Sequence, residues 1–364
     1  MVKQICWHQT ILLSNEHSWD LDRLHKVAIE DEPAFRQAYY GGRLVTTTIQ
    51  WQSASYIDEY LCDGHEEEYG ELFDRITDYL CYFDACSLYP AQMIDKPIAC
   101  GPMRLVNDIT LEEEREYIYQ IELEAKSGKP GTWSSRLVQV DITCPTDLLI
   151  PFLMRRDEQG RNQQTLLPIT RLWYAGPELV EACLLGYKIT RIYAYYRFRY
   201  FEVLYQSFIE KNYKLREKHP SGAMNLLPKF KMNSASGKGA QRNILMISII
   251  LIGAEMYAPR PATVTETKTI FSNGFYDQPL ACMVQCPQTV TTTPFCLNAT
   301  VWILSWSRVH MSRFMREIDG YRNVERSPKY GDTDSLFITA ATALCASAYF
   351  FGKKLGQFKN EMPS

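Results

Sequence analysis

The segment Tyr330-Gly331-Asp332-Thr333-Asp334-Ser335 places two carboxylates two residues apart, between a strand-like end at Lys329-Tyr330 and a short apolar run, Leu336-Phe337-Ile338, that reaches Thr339. Gly331 and the aspartates supply turn chemistry, so the stretch is predicted to be a tight hairpin. On an extended chain, residues i and i+2 face the same side. Two anions held together repel unless a cation lies between them, and an all-oxygen site favours Mg²⁺ or Mn²⁺. The hexapeptide by itself has two readings: a divalent-metal site, or a hairpin whose aspartates cap a turn.

A chain of 364 residues, 46% hydrophobic, can bury a large core in two or three lobes. Its net charge of -3 hides a strong asymmetry. Residues 1–83 hold fifteen Asp or Glu against six Lys or Arg, whereas residues 197–242 hold ten Lys or Arg against three Glu, enough to offer phosphates a basic surface. The eleven cysteines cannot all pair internally, and with no signal peptide at Met1-Val2-Lys3-Gln4 they read as reduced thiols in an intracellular protein. Cys282, Cys286 and Cys296 resemble a zinc half-site without a fourth ligand. The apolar run from Ile244 to Gly253 is half the length a bilayer requires, about 20 residues, so no membrane partner is expected.

His8, His17 and His25 show no ligand spacing, and no chemistry is assigned to residues 1–35. Paired glycines in Tyr39-Tyr40-Gly41-Gly42 allow close backbone passage before a β-rich run to Trp51. Residues 56–78 read as an acidic helix. An aromatic strand, Tyr79 to Phe83, delivers Asp84 at its end, and the turn after it offers N–H groups to an anion. Met103–Val106, Tyr117–Leu123 and Leu137–Ile142 read as strands of a sheet backing that site, followed by a helix over 177–185 with Pro177 at its start and Gly186 at its end. Tyr187 to Phe198 alternates like a strand. Two basic helices follow, one with Lys211, Lys214, Arg216 and Lys218, the other with Lys229, Asn233 and Lys238, broken at His219-Pro220-Ser221-Gly222. Residues 258–297 read as an insertion, Asn298 to Ile318 as a helix, and Leu344 to Phe351 as a short apolar helix.

Three ordered motifs, Asp84-x-x-Ser87-Leu88-Tyr89-Pro90, Lys229-x-x-x-Asn233-Ser234-x-x-Gly237-Lys238 and Tyr330-Gly331-Asp332-Thr333-Asp334-Ser335, resemble the polymerase motifs of family B DNA polymerases. The likeness is to the protein-primed branch of adenoviruses, polinton-like elements and small tailed phages. Tyr39-x-Gly41-Gly42 is similar to that branch's linker motif, and the resemblance covers about residues 36–361.

It implies an α+β fold: a polymerase palm, with an antiparallel sheet backed by helices, and a helical fingers arm. The implied divisions are an N-terminal segment at 1–35, first palm part at 36–200, fingers at 201–257, insertion at 258–297 and second palm part at 298–364. The implied function is template-directed DNA synthesis by two-metal nucleotidyl transfer, using two Mg²⁺ or Mn²⁺, DNA template and primer, deoxynucleoside triphosphates and a terminal-protein primer. Asp84, Asp334 and the Ala85 carbonyl would bind the metals, with Asp332 as a supporting carboxylate. Ser87 and Leu88 would present N–H groups to the triphosphate, and Tyr89 would exclude a 2′-hydroxyl. Arg216, Lys229 and Asn233 would hold the nucleotide, while Tyr39, Gly41, Gly42, Ser234, Gly237 and Lys238 would contact DNA. A host nucleus or viral replication site would be the setting.

Two positions depart from the family pattern. Ser236 stands where the family usually has Tyr, removing a ring from the floor of the nascent base pair. Pro228, which costs about 3 kcal/mol in a helix interior and little in a first turn, implies a kink or a late helix start. Too few residues precede the linker motif for an exonuclease domain of about 150 residues, and no thumb follows, so neither proofreading nor a thumb is expected. The rival expectation is a truncated, inactive remnant that binds nucleic acid or a partner without turnover.

Overall fold

The computed structural model describes residues 27–28, 30–42, 44–46, 52–53, 79–157, 159–219, 221–240, 244–252, 266–273, 278–289 and 296–362. The acidic stretch 56–78 and the three N-terminal histidines lie outside them. In chain order the elements begin with α1 (Glu32–Ala38), β1 (Leu44–Thr46), β2 (Gln52–Ser53), β3 (Tyr79–Ala85), α2 (Leu88–Asp95) and β4 (Ile98–Val106). Next come α3 (Leu111–Ser127), β5 (Arg136–Thr143), β6 (Met154–Arg156), β7 (Asn162–Gln164), β8 (Ile169–Ala175), α4 (Gly176–Leu184) and β9 (Lys188–Glu202). Then follow α5 (Gln206–Lys218), α6 (Ala223–Gly239), β10 (Ile244–Ile252), β11 (Glu266–Asn273), β12 (Gln278–Thr289) and α7 (Leu297–Glu317). The last are β13 (Tyr330–Asp332), β14 (Ser335–Thr339), α8 (Ala340–Leu344) and β15 (Phe358–Asn360). The stretch Leu344 to Phe351, expected to be one helix, is instead the last residue of α8, a break and a single 3₁₀ turn at Ala348–Phe350.

Residues 1–239 and 296–364 form one compact unit, and residues 240–295 form another. The smaller unit carries an antiparallel sheet of order β10-β12-β11. The apolar run at Ile244 is thus a strand paired along its whole length with β12, and goes with the segment read as an insertion rather than with the basic helices. Cys282 and Cys286 lie on β12, whereas Cys296 is buried at the start of α7 in the larger unit.

The larger unit holds two principal sheets. One has the order β1-β13-β14-β3-β15 with β2 beside β3, and all its pairings except β2–β3 are antiparallel. The other, β4-β9-β5-β8, is antiparallel throughout. The strands expected to back the carboxylates therefore form a separate sheet, because β9 spends its two edges on β4 and β5. Helix α7 ties this sheet to the other. Near its start, Asn298 Nδ2 donates to Ala99 O at 2.8 Å and Trp302 Nε1 to Ser134 O at 2.9 Å; toward its end, Phe314 meets Phe350, Phe351 and Phe358, the last on β15. Phe35 of α1 packs on Tyr196 and Phe198 of β9.

Residues Tyr117–Leu123 are helical, within α3, and not a strand. A capping box decides it: Thr110 Oγ1 accepts from Glu113 N while Glu113 Oε2 accepts from Thr110 N. Ile121 and Ala125, one turn apart, are the buried pair, and Gly128 ends the helix at φ 67°. Pro228 lies inside α6, past a helix start at Ala223, so the helix does not begin late.

Candidate active site

Burial alternates along β3. Cys81, Phe83 and Ala85 are buried and Tyr82 and Asp84 half-buried, which puts Asp84 on the face turned away from the core. The neighbouring β14 brings Ser335 directly opposite Asp84, and the Ala85 N–H donates to Asp334 O at 2.7 Å. Two carboxylates distant in sequence are thus fixed at one sheet end.

The hairpin differs from its sequence-based expectation in detail. Gly331 is a buried strand residue paired with Leu336 and Val45, and the turn is made by Thr333, at φ 49°, and Asp334. Asp332 and Asp334 therefore do not lie on one straight strand: Asp332 ends β13, exposed, with its Oδ1 accepting from Thr333 Oγ1, while Asp334 is half-buried in the turn. Of the two hairpin aspartates, Asp334 is the one whose charge acts on Asp84.

Burial, then the negative charges of Asp334 and Glu361, push the Asp84 carboxyl up to about 6, with Lys229 and Lys359 opposing. Asp334 is also raised, by burial first and by the charge of Asp332, while its own backbone N–H works the other way. Carboxyls raised by desolvation and by neighbouring negative charge are stabilised in their charged form by a cation. Among the described residues no set of three or more His, Cys, Asp or Glu side chains converges as a metal cluster.

After β3 the chain turns through Cys86 and Ser87, the latter at φ 52°, and α2 starts at once. Arg216 near the end of α5 donates from Nη1 to Ser87 Oγ at 3.1 Å, and its Nε is buried with no hydrogen-bond partner among the described residues. Helices α5 and α6 pack as a hairpin, with Asn225 Nδ2 donating to the carbonyls of Arg216 and His219. Lys229 on α6 is exposed and near enough to act on Asp84. Cations from both helices therefore border the turn where Leu88, buried, opens α2. Asn233 and Gly237 are exposed on α6 and Ser234 is half-buried, and among the described residues no hydrogen bond ties their side chains to the carboxylates; the backbone of Lys238 lies in the same helix. Ser236 is buried, donating to Asn233 O, while its carbonyl accepts from Thr300 Oγ1 of α7.

Tyr89, on the first turn of α2, is half-buried. Burial raises its hydroxyl pKa first, then the charge of Asp334. The Tyr39 carbonyl accepts from Arg156 Nη2 at 2.6 Å, and Gly41 approaches Asn162 of β7. Gly42 abuts Thr333 in the hairpin turn.

Two features were missed in the sequence. Arg308 of α7 is buried, forks onto Glu178 of α4 with two bonds of 2.7 Å, and also donates to the carbonyls of Tyr40 and Gly41. Nothing in its apolar surroundings marked it. Lys359 of β15 pairs in register with Asp84 and bonds Glu361 at 3.0 Å, placing both charges beside the carboxylate. The i, i+2 spacing of Lys359 and Glu361 on a strand was the available signal.

This geometry has known counterparts. The fold is that of a DNA polymerase: it is similar to phi29 DNA polymerase complexed with primer-template DNA and incoming nucleotide substrates, with a TM-score of 0.60 at 15% identity over 96% of this chain and 50% of that one. A binary complex of phi29 DNA polymerase with primer-template DNA matches with a TM-score of 0.56 at 15% identity, over 97% of this chain and 49% of the other. The chain thus spans about half the length of these structures. It belongs to the family of type B DNA polymerases, organellar and viral, whose model matches residues 68–320. Asp332 and Asp334 lie beyond that matched span. No curated protein sequence matches the chain.

Proposed function

We propose that this chain performs template-directed DNA synthesis of the protein-primed type, extending a primer with deoxynucleoside triphosphates. The observation that carries the reading is the meeting of Asp84 and Asp334 at one sheet end, beside a helical hairpin bearing Arg216 and Lys229. Family membership and the phi29-like fold support it.

Asp84, Asp334 and the Ala85 carbonyl would hold two Mg²⁺ or Mn²⁺, with Asp332 adding negative charge from the end of β13. The raised carboxylates fit such cations, which when bound would lower the pKa of a primer hydroxyl and neutralise charge on the triphosphate and leaving pyrophosphate. Phosphoryl transfer leaves little covalent work to protein groups, so positioning and charge carry the rate. The N–H groups at Ser87 and Leu88 receive phosphate oxygens. The unpartnered Nε of Arg216 is a donor ready for the same anion, and Lys229 supplies a second cation. Asn233 follows Lys229 by one helical turn and faces the same nucleotide. Tyr89 floors the sugar pocket. Tyr39, Gly41 and Gly42, with Ser234, Gly237 and Lys238 from α6, border the DNA, and a terminal protein is a candidate primer.

Primer extension with Mg²⁺ tests this. Wild-type protein should extend a primed template, and Asp334→Asn should abolish extension while retaining DNA binding. Extension by Asp334→Asn at the wild-type rate would overturn the assignment.

A further inference from the structure

Across the sheet β4-β9-β5, three arginines stand in one row. Arg104 is directly opposite Arg197, and Arg197 is directly opposite Arg136. Direct cross-strand partners project from the same face, and adjacent strands lie about 4.8 Å apart, so three cationic stems leave the sheet within about 10 Å. Arg199, two residues along β9, extends the row. The other face of β9 carries Tyr196 and Phe198, covered by Phe35 and Trp302; on the arginine face Tyr195 is covered by Tyr117 of α3 and by Trp133, and beyond it Arg104, Arg197 and Arg199 stand exposed as an outer surface.

Like charges directly opposite one another destabilise a sheet, and of the row only Arg136 feels an opposing carboxylate charge, that of Glu124, among the described residues. Arg104, Arg197 and Arg199 are exposed, and among the described residues none of them has an ion pair. Arg136 lies over the rings of Trp133 and Tyr195, at 4.0 and 4.5 Å, with its Nη1 buried and without a hydrogen-bond partner among the described residues. The nearby carboxylates are committed to backbone N–H groups. Glu113 closes the α3 capping box, Glu114 accepts from Ile192 N, Glu124 accepts from the N–H groups of Gly131, Trp133 and Ser134, and Asp141 accepts from Arg171 N.

We propose that this outer face binds the sugar-phosphate backbone of a nucleic acid. Guanidinium forks match phosphate oxygens in charge and geometry, and a row spaced by strand separation presents several of them to a polyanion. The face is on a different sheet from Asp84 and Asp334. Its assignment rests on the polymerase reading only for the choice of DNA as the nucleic acid.

The test is fluorescence anisotropy of a labelled single strand, and of its duplex, titrated across NaCl concentrations against wild-type protein and an Arg104→Gln/Arg197→Gln/Arg199→Gln variant. Each lost phosphate contact lowers the slope of log affinity against log salt by about 0.9 for duplex or about 0.7 for single strands. The triple variant should therefore lose roughly 2 to 3 units of slope on whichever form is bound. It should keep its thermal midpoint and its kcat for primer extension at saturating DNA, and the Arg→Lys version should retain most of the slope. Unchanged slopes on both DNA forms would overturn the proposal, as would unchanged DNA binding with lost affinity for a polyglutamate probe, which would mark an acidic protein partner. Asp334→Asn, by contrast, should remove extension and leave the slope intact, so failure of the polymerase reading and failure of this one are read separately.

Discussion

Gly42 and Thr333 touch across the junction between the linker segment and the carboxylate hairpin: a Cβ built on Gly42 would lie 2.5 Å from Thr333 Cα. Beyond this contact β1 pairs with β13, with Leu44 opposite Asp332. A segment whose sequence points to template contact therefore also braces the turn that carries Asp334.

Gly42→Ala should displace that turn. With about 1 to 3 kcal/mol of strain at stake and a factor of ten for each 1.4 kcal/mol, the expected fall in kcat is on the order of 10-fold or more, with DNA affinity little changed. Thr333→Gly removes the side chain and suits φ 49°, so the double variant should recover part of the loss in single-turnover extension. A double variant no faster than Gly42→Ala would show that the contact does not brace the turn.

The Arg308–Glu178 pair is buried on both sides. Arg308→Met strands a carboxylate in the core and should cost about 3 to 5 kcal/mol in urea unfolding, whereas Arg308→Met with Glu178→Leu should recover most of it. Equal losses in single and double variants would mean that Arg308 acts chiefly through the Tyr40 and Gly41 carbonyls.

Asp84 has a folded-state pKa raised from 3.8 to about 6. Between those values the folded protein binds more protons than the unfolded chain, so this group's contribution to stability is greatest below the unfolded pKa and is lost as pH rises through about 6. In divalent-free buffer Asp84→Asn should accordingly melt above wild type at pH 7, with the gain vanishing toward pH 4. Added Mg²⁺ should raise the wild-type midpoint at pH 7 and leave Asp84→Asn nearly unmoved. Melting scans across pH, with and without the ion, decide both points.

Tyr89→Ala should admit ribonucleotides with little loss of deoxynucleotide use, because steric rejection acts on the 2′-hydroxyl alone. Steady-state incorporation of both sugars measures it. A folded, active variant with unchanged sugar selectivity would remove Tyr89 from the sugar pocket.

Local chemistry was legible in the sequence. Pro177 and Gly186 bound helix α4, the aromatic strand before Asp84 is β3, and the breaker around Gly222 separates two basic helices, because each depends on residues within a few positions of one another. The three ordered motifs likewise carried the family. Tertiary structure decided what depends on distant partners. It made Tyr117–Leu123 helical, paired Ile244–Ile252 with β12, moved the hairpin turn to Thr333-Asp334 and set Lys359 opposite Asp84. A strand's hydrogen bonds and a charge's burial are settled by whichever residues the folded chain brings alongside. That is why the Arg308–Glu178 pair and the arginine row on β4, β9 and β5 became visible only once the strands and helices were in place.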